Sequence, residues 1–360
     1  MPRMVDLIVA GGGPAGLASA IGAAQSGMAV TLVEPKAGTI DKACGEGLMP
    51  PALKSLSALG VPHPSGIPFA GIRYVDGDLR AQGNFSAGPG MGVRRTALHD
   101  AMRARAKALG VQRVEGKVGE WTETQDGIEV NGICAKWMIA ADGLHSPIRK
   151  RLGLGLPSRL PDRLGVRRHF QTAPWSEFVE VHWSERAEAY VTPVAPDTVG
   201  VAILFYPDAL PQGSGPKYNR LLSLFPELEE RLGNPCTPVA GAGPFAQHLS
   251  SHRHGRILLV GDASGYVDPL TGEGIRMGLD TAEAAVSCLR SNQPEHYDRA
   301  WRRVTWRYRW MTSGLLEIRS RPWLRRQLVP TLRRCPWLLR GALDILNGPV
   351  KHSLTGTIAS

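Results

Sequence analysis

Residues 5–10, VDLIVA, form a short apolar run that stops at a cluster of glycines, the pattern of a buried strand. The alanine-rich segment 14–27 has helical character, and 29–34, AVTLVE, reads as a second strand ending in an acid. Residues 42–61, KACGEGLMPPALKSLSALGV, read as a loop entering a short helix. Residues 66–92 alternate apolar and polar side chains among many glycines, as β-hairpins do. Residues 93–109 predict an amphipathic helix with Leu98, Met102 and Leu109 among its apolar positions. Strands are expected within 111–142 and again within 163–206, where FVEVHW and TVGVAILFY are aromatic and β-branched. RILLVGDA at 256–263 returns to a buried parallel strand, followed by a glycine loop and the helix IRMGLDTAEAAVSCLR. This order predicts an α/β nucleotide-binding domain built from residues 1–65, 93–160 and 248–298. A β-rich substrate domain of 66–92 and 161–247 interrupts it, and a helical region, 299–360, closes the chain.

Composition adds limits. A chain of 360 residues holds two domains, and 43% hydrophobic with 21% charged residues is the balance of an ordinary globular protein. Cys44, Cys134, Cys236, Cys288 and Cys335 are odd in number and scattered, which suggests neither a disulfide framework nor a metal site. With no leader-like N-terminus and no spanning apolar stretch, a cytoplasmic location is expected.

Charge changes the picture at one place. Residues 301–340 hold eleven arginines against one acid, Glu317, whereas the first 300 residues carry thirty basic and thirty acidic side chains. The same segment holds Trp301, Trp306, Trp310, Trp323 and Trp337. Three readings stand side by side: a helical layer with packed tryptophans and solvated arginines, a lipid-facing surface peripheral on the inner face of a membrane, and nucleic-acid binding. No recognised nucleic-acid module accompanies the charge, so no nucleic-acid partner is expected.

The candidate chemistry begins between the first strand and helix. Gly11, Gly13 and Gly16 form GxGxxG, and Glu34 ends the following strand. In that context Gly11 permits a tight turn, Gly13 lets backbone approach a pyrophosphate, Gly16 lets helix and strand pack closely, and the acid accepts from a ribose.

Three ordered segments then carry a resemblance: GGGPAGLASAIGAAQSGMAVTLVE near the start, IAADGLHSPIRKRLG at 139–153, and RILLVGDASGYVDPLTGEGIRMGLDTA at 256–282. Together they resemble FAD-dependent oxidoreductases of the para-hydroxybenzoate hydroxylase fold, in the geranylgeranyl-reductase-like branch. The resemblance implies a Rossmann-like FAD-binding domain (GR2-type) interrupted by a β-sheet domain, bound FAD, and NAD(P)H as a transient reductant. It places Asp142 and Gly143 near the pyrophosphate, and Arg95, with Arg94 as the alternative, reaching toward the flavin cofactor. Asp262, after Gly261, is placed on the ribitol and ribose. Capping of the following helix is the structural alternative for both aspartates. Pro269, Gly272, Glu273, Gly274 and Ile275 are placed under the flavin ring, and Ala15, Pro35, Lys36, Cys44, Gly45 and Val118 beside the cofactor.

The tryptophan-rich segment of the halogenases is missing, so halogenation is not expected. Cys44-Gly45-Glu46 and AYVTPVAPDTVGV depart from the prenyl-reductase pattern, which has Cys-Gly-Gly and a tryptophan in the second segment. Within the branch the chain is most similar to flavoprotein hydroxylases associated with type III polyketide synthases. That similarity implies hydroxylation of a phenolic or electron-rich lipid or polyketide through a flavin hydroperoxide, using NAD(P)H and O2. Reduction or desaturation of an isoprenoid chain is the alternative. Glu46, Cys44, Tyr190, His169 and His182 are the catalytic candidates, and the partner is a hydrophobic small molecule.

Overall fold

The structure, a computed structural model, describes residues 4–158 and 160–348. Its elements in the first part of the chain are β1 (Val5–Ala10), α1 (Pro14–Gln25), β2 (Val30–Glu34), β3 (Gly71–Asp76), β4 (Leu79–Asn84), α2 (Arg95–Ala108), β5 (Gln112–Glu115) and β6 (Ile133–Ala140). They continue with β7 (Leu164–Gln171), β8 (Phe178–Trp183), β9 (Ala187–Ala195), β10 (Thr198–Phe205), β11 (Ala240–Ala242) and β12 (Ile257–Leu259). The chain then runs through α3 (Gly274–Arg290), α4 (Tyr297–Ser320), α5 (Pro322–Arg334) and α6 (Pro336–Asn347).

The apolar runs become the centre of one sheet. Its order is Arg253–His254, β12, β6, β1, β2, β5, and the neighbours from β12 to β5 are parallel. Leu7, Ile8 and Val9 are wholly buried, as expected of a strand covered on both faces. Helix α1 packs on α3 and α2 against one face of this sheet. The turn between β1 and α1 can only be glycine. Gly11 sits at φ +106°, and a Cβ on Gly16 would lie 1.8 Å from the Gly11 carbonyl oxygen. The chain is therefore an α/β protein with a Rossmann-type sheet, as the periodicity indicates.

A second sheet runs β11, β7, β10, β9, β8, β3, β4, antiparallel except for the β8–β3 pair. The chain closes with α4, α5 and α6, which touch one another. Proline ends each of the first two, because Pro322 and Pro336 lack the N–H that a continuing helix needs and instead start the next one. Among the described residues no helix is long and apolar enough to cross a membrane.

Candidate functional site

One cavity of about 860 Å3 lies where the two sheets and the closing helices meet, a volume typical of ligand sites. Every cofactor position expected from the sequence lines it except Gly16, which packs on the Gly11 turn. Parallel strands deliver these residues together, because β1, β2, β6 and β12 all end at the same edge of the sheet.

Local bonding distinguishes their roles. Glu34 accepts from the Gly12 N–H at 2.7 Å and the Lys36 N–H at 2.9 Å, which fixes its carboxylate beside the glycine turn. Asp142 accepts from the Ser146 hydroxyl at 2.6 Å and the Ile148 N–H at 3.0 Å, so it does cap the short helix Pro147–Arg151 while bordering the cavity. Asp262 makes no such bond among the described residues. Enclosure pushes its carboxyl above the ordinary range, and Lys42, Arg95 and Arg149 act against that rise. Arg95 is buried, and its Nη1 has no hydrogen-bond partner among the described residues.

This donor set fits FAD. A Cβ on Gly13 would meet nothing within 4 Å, leaving the glycine turn open to a ligand. The unpartnered Arg95 Nη1 is a donor for an anionic or carbonyl oxygen, and Asp262 is an acceptor for hydroxyls. Gly272, at φ +70°, carries the chain into α3, whose N-terminus faces the cavity through Gly274 and Ile275.

The catalytic candidates separate into three groups. Glu46, Cys44 and Tyr190 line the cavity. Glu46 is buried in the left-handed region at φ +61°, a conformation that costs a non-glycine residue about 1 kcal/mol or more. Four hydrogen bonds hold it there. Its N–H donates to Cys44 Sγ at 3.3 Å, and its carbonyl accepts from Val93 at 2.8 Å. Its Oε1 accepts from the Arg95 N–H at 2.7 Å, and Oε2 lies 2.5 Å from His169 Nε2.

His169 stands behind Glu46, away from the cavity surface. Its Nδ1 is 3.1 Å from an Arg167 nitrogen and 3.0 Å from the Thr237 hydroxyl. Guanidinium only donates, so Nδ1 carries the lone pair and the ring proton sits on Nε2, directed at Glu46. Arg167 in turn pairs with Asp41.

His182 lies elsewhere. Along β8 the side chains alternate, so Val179 and Val181 face the cavity while Glu180 and His182 turn to the opposite side. There His182 Nε2 is 3.2 Å from Glu180. Burial of Glu180 is outweighed by hydrogen bonds from His182, Trp175 and Arg73, which hold its carboxyl down to about 2.

The other two cavity candidates keep their protons. Burial pushes the Cys44 thiol up, with Arg95 opposing. Burial also raises the Tyr190 phenol well above its ordinary value, and its hydroxyl donates to the Leu270 carbonyl at 2.9 Å.

Several functional neighbours escape the sequence reading. His99 bridges two loops, with Nδ1 3.3 Å from the Ile40 N–H and Nε2 2.9 Å from the Gly12 carbonyl. The Ile40 donor fixes the tautomer, so Nε2–H donates to Gly12 and steadies the glycine turn. Its position on the buried face of α2, one residue after Leu98, is the available signal. Arg149, by contrast, already belongs to the pattern of the IAADGLHSPIRKRLG segment, and it donates to the carbonyls of Leu144, Asp262 and Ala263 and to Gln247, tying the two aspartate loops together. Leu315, Leu328, Leu332, Leu339 and Leu343 of the closing helices form an apolar wall of the cavity, which no motif announces.

Comparison with known proteins agrees with this geometry. Residues 94–292 match the FAD binding domain family, and residues 6–61 match a second FAD binding domain family. The chain is 27% identical to a menaquinone reductase of Mycolicibacterium smegmatis, over 84% of this chain and 80% of that protein. It is 26% identical to a protoasukamycin 4-monooxygenase of Streptomyces nodosus subsp. asukaensis, over 82% and 84%. A flavoprotein/dehydrogenase structure from Cytophaga hutchinsonii superposes with a TM-score of 0.82 at 18% identity, over 95% of this chain and 92% of that one. With more than half its length matched, the chain belongs to the FAD binding domain family and is an FAD-dependent oxidoreductase with the para-hydroxybenzoate hydroxylase fold.

Proposed function

We propose that the protein is a monooxygenase that hydroxylates a phenolic lipid or polyketide bearing a long apolar chain, consuming NAD(P)H and O2. The observation that carries this reading is the Glu46–His169 pair, 2.5 Å apart, opening into a cavity whose remaining walls are largely apolar. Bound FAD supplies the electrons from the nicotinamide and the activation of O2. Everything else is work for the chain. Glu46, oriented by the Arg95 N–H and the His169 ring proton, accepts the phenolic proton and leaves the aromatic ring electron-rich. His169 Nδ1, bonded to Arg167 and Thr237, keeps the imidazole oriented with its proton on the Glu46 side. The leucines of α4, α5 and α6, with Val179 and Val181, receive the apolar chain and exclude water. The balance is phenol plus O2, NAD(P)H and a proton giving the hydroxylated phenol, NAD(P)+ and water.

A second reading, reduction of an isoprenoid double bond, is favoured by the menaquinone reductase likeness and by Cys44, a protonated thiol on the cavity surface that can deliver the proton accompanying a hydride. Substituting Glu46→Gln tests the first reading's base, and oxygen-independent saturation of a prenyl chain tests the second. The hydroxylase reading expects turnover of an alkylresorcinol to fall by about 100-fold or more with FAD retained. Unchanged turnover in that variant would remove Glu46 as the base.

A further inference from the structure

We infer that the outer face of the α4–α6 layer docks on an anionic lipid surface. The layer has two different sides. Its inner side closes the cavity with leucines, including Leu315, Leu328 and Leu343. Its other tryptophans do not join that interior: Trp306, Trp310, Trp323 and Trp337 are 53%, 62%, 65% and 69% exposed.

Trp301 shows what a structural tryptophan looks like in this same layer. It is buried, stacks on His252 with ring centroids 3.5 Å apart, and donates to the Ser264 hydroxyl at 2.8 Å. The four exposed indoles have no comparable seat. Trp306 and Trp310, one turn apart on α4, share a shallow depression with Ile345 of α6, itself 43% exposed, so the apolar patch crosses from one helix to another. Exposed apolar surface spread over two packed elements marks an interaction site rather than chance exposure.

The charge names the occupant. Eleven arginines against Glu317 in residues 301–340 make this the basic part of a chain that is otherwise balanced, and Glu317 is itself paired with Arg321. Arg302, Arg326, Arg333, Arg334 and Arg340 are exposed. A second copy of the chain would bring two such basic layers together, which like-charge repulsion opposes. Indole at headgroup depth and guanidinium against phosphate suit an anionic bilayer, and helices too polar to cross one lie along its surface. The docking does not depend on which oxidation or reduction the cavity performs.

Flotation of the FAD-loaded full chain with vesicles tests it. Binding to phosphatidylcholine–phosphatidylglycerol vesicles at low ionic strength is expected, with a blue shift of tryptophan emission and little binding to phosphatidylcholine alone. Trp306→Ala with Trp310→Ala, and separately Arg333→Gln with Arg334→Gln, should each weaken binding by about tenfold or more while FAD content and melting temperature stay at wild-type values. Absence of binding to the anionic vesicles, or equal binding by the tryptophan pair variant, overturns the inference. So does a concentration-dependent dimer that the same tryptophan substitutions dissociate, because the face would then belong to a second copy.

Discussion

Asp142 and Asp262 each follow a buried parallel strand and border the same cavity, yet their carboxylates are differently engaged. The Asp142 carboxylate is occupied by Ser146 and Ile148, whereas the Asp262 carboxylate has no hydrogen-bond partner among the described residues. Asp262→Ala should therefore lower the FAD content of the purified protein several-fold, read from the ratio of flavin to protein absorbance. Asp142→Ala should cost about 1 kcal/mol of stability as a lost cap. Wild-type FAD content in Asp262→Ala would contradict its assignment to the cofactor. Glu273, beside Gly272 and Gly274, makes a prediction about pH. Burial pushes its carboxyl up to about 7 from a model-compound value of 4.5, with Arg276 opposing. A raised carboxyl binds its proton more tightly when folded. Its contribution is thus full below about pH 4.5 and lost as pH rises to about 7, amounting to about 3 kcal/mol at 1.36 kcal/mol per unit. Denaturant midpoints of the holoenzyme should fall over that window, and Glu273→Gln should flatten the fall; an unaltered slope would remove Glu273 as its source.

At the scale of elements, α4 is anchored by charge as well as by packing. Arg319 of α4 pairs with Glu188 of β9 and donates to the Ser184 carbonyl at 3.1 Å. Glu188 also pairs with Arg163, which reaches Asp268 at 2.6 Å beside the flavin-side loop. All four side chains are buried. Arg319→Ala leaves Glu188 short of a partner and should destabilise the protein by about 3–5 kcal/mol, read by urea unfolding; a loss under 1 kcal/mol would mean that Arg163 alone suffices. This network was not legible in the sequence, because its members are spread from residue 163 to residue 319 and each looks like an ordinary surface charge. The β1–α1–β2 unit was legible, since its strand runs, glycine spacing and terminal acid are all local. His182 was misleading for the opposite reason. FVEVHW alternates Val179 and Val181 with Glu180 and His182, which separates two faces without saying which borders the cavity, and only the placement of β8 between β9 and β3 in the assembled sheet shows that it is the valine face.

For the whole molecule, fold class and cofactor followed from three glycine-bearing segments whose backbone roles admit few substitutes, Gly11 and Gly16 being the clearest. The rest of the site is assembled from afar. Glu46 lies 123 positions from His169, and the apolar wall comes from helices beyond residue 297. In the sequence Leu315 and Leu343 are ordinary leucines of a basic helical region, and only the assembled molecule sets them against the cavity. The substrate is therefore a property of the assembled molecule, and the proposed reaction is tested there. The most direct measurement is mass spectrometry of the product formed by the FAD-loaded enzyme from a long-chain alkylresorcinol, NAD(P)H and isotopically labelled O2. The account predicts a ring-hydroxylated product carrying one labelled oxygen atom per turnover, lost together with activity in Glu46→Gln. A hydroxyl oxygen derived from water, or no oxygenated product from a competent reduced enzyme alongside oxygen-independent saturation of a prenyl chain, would contradict it.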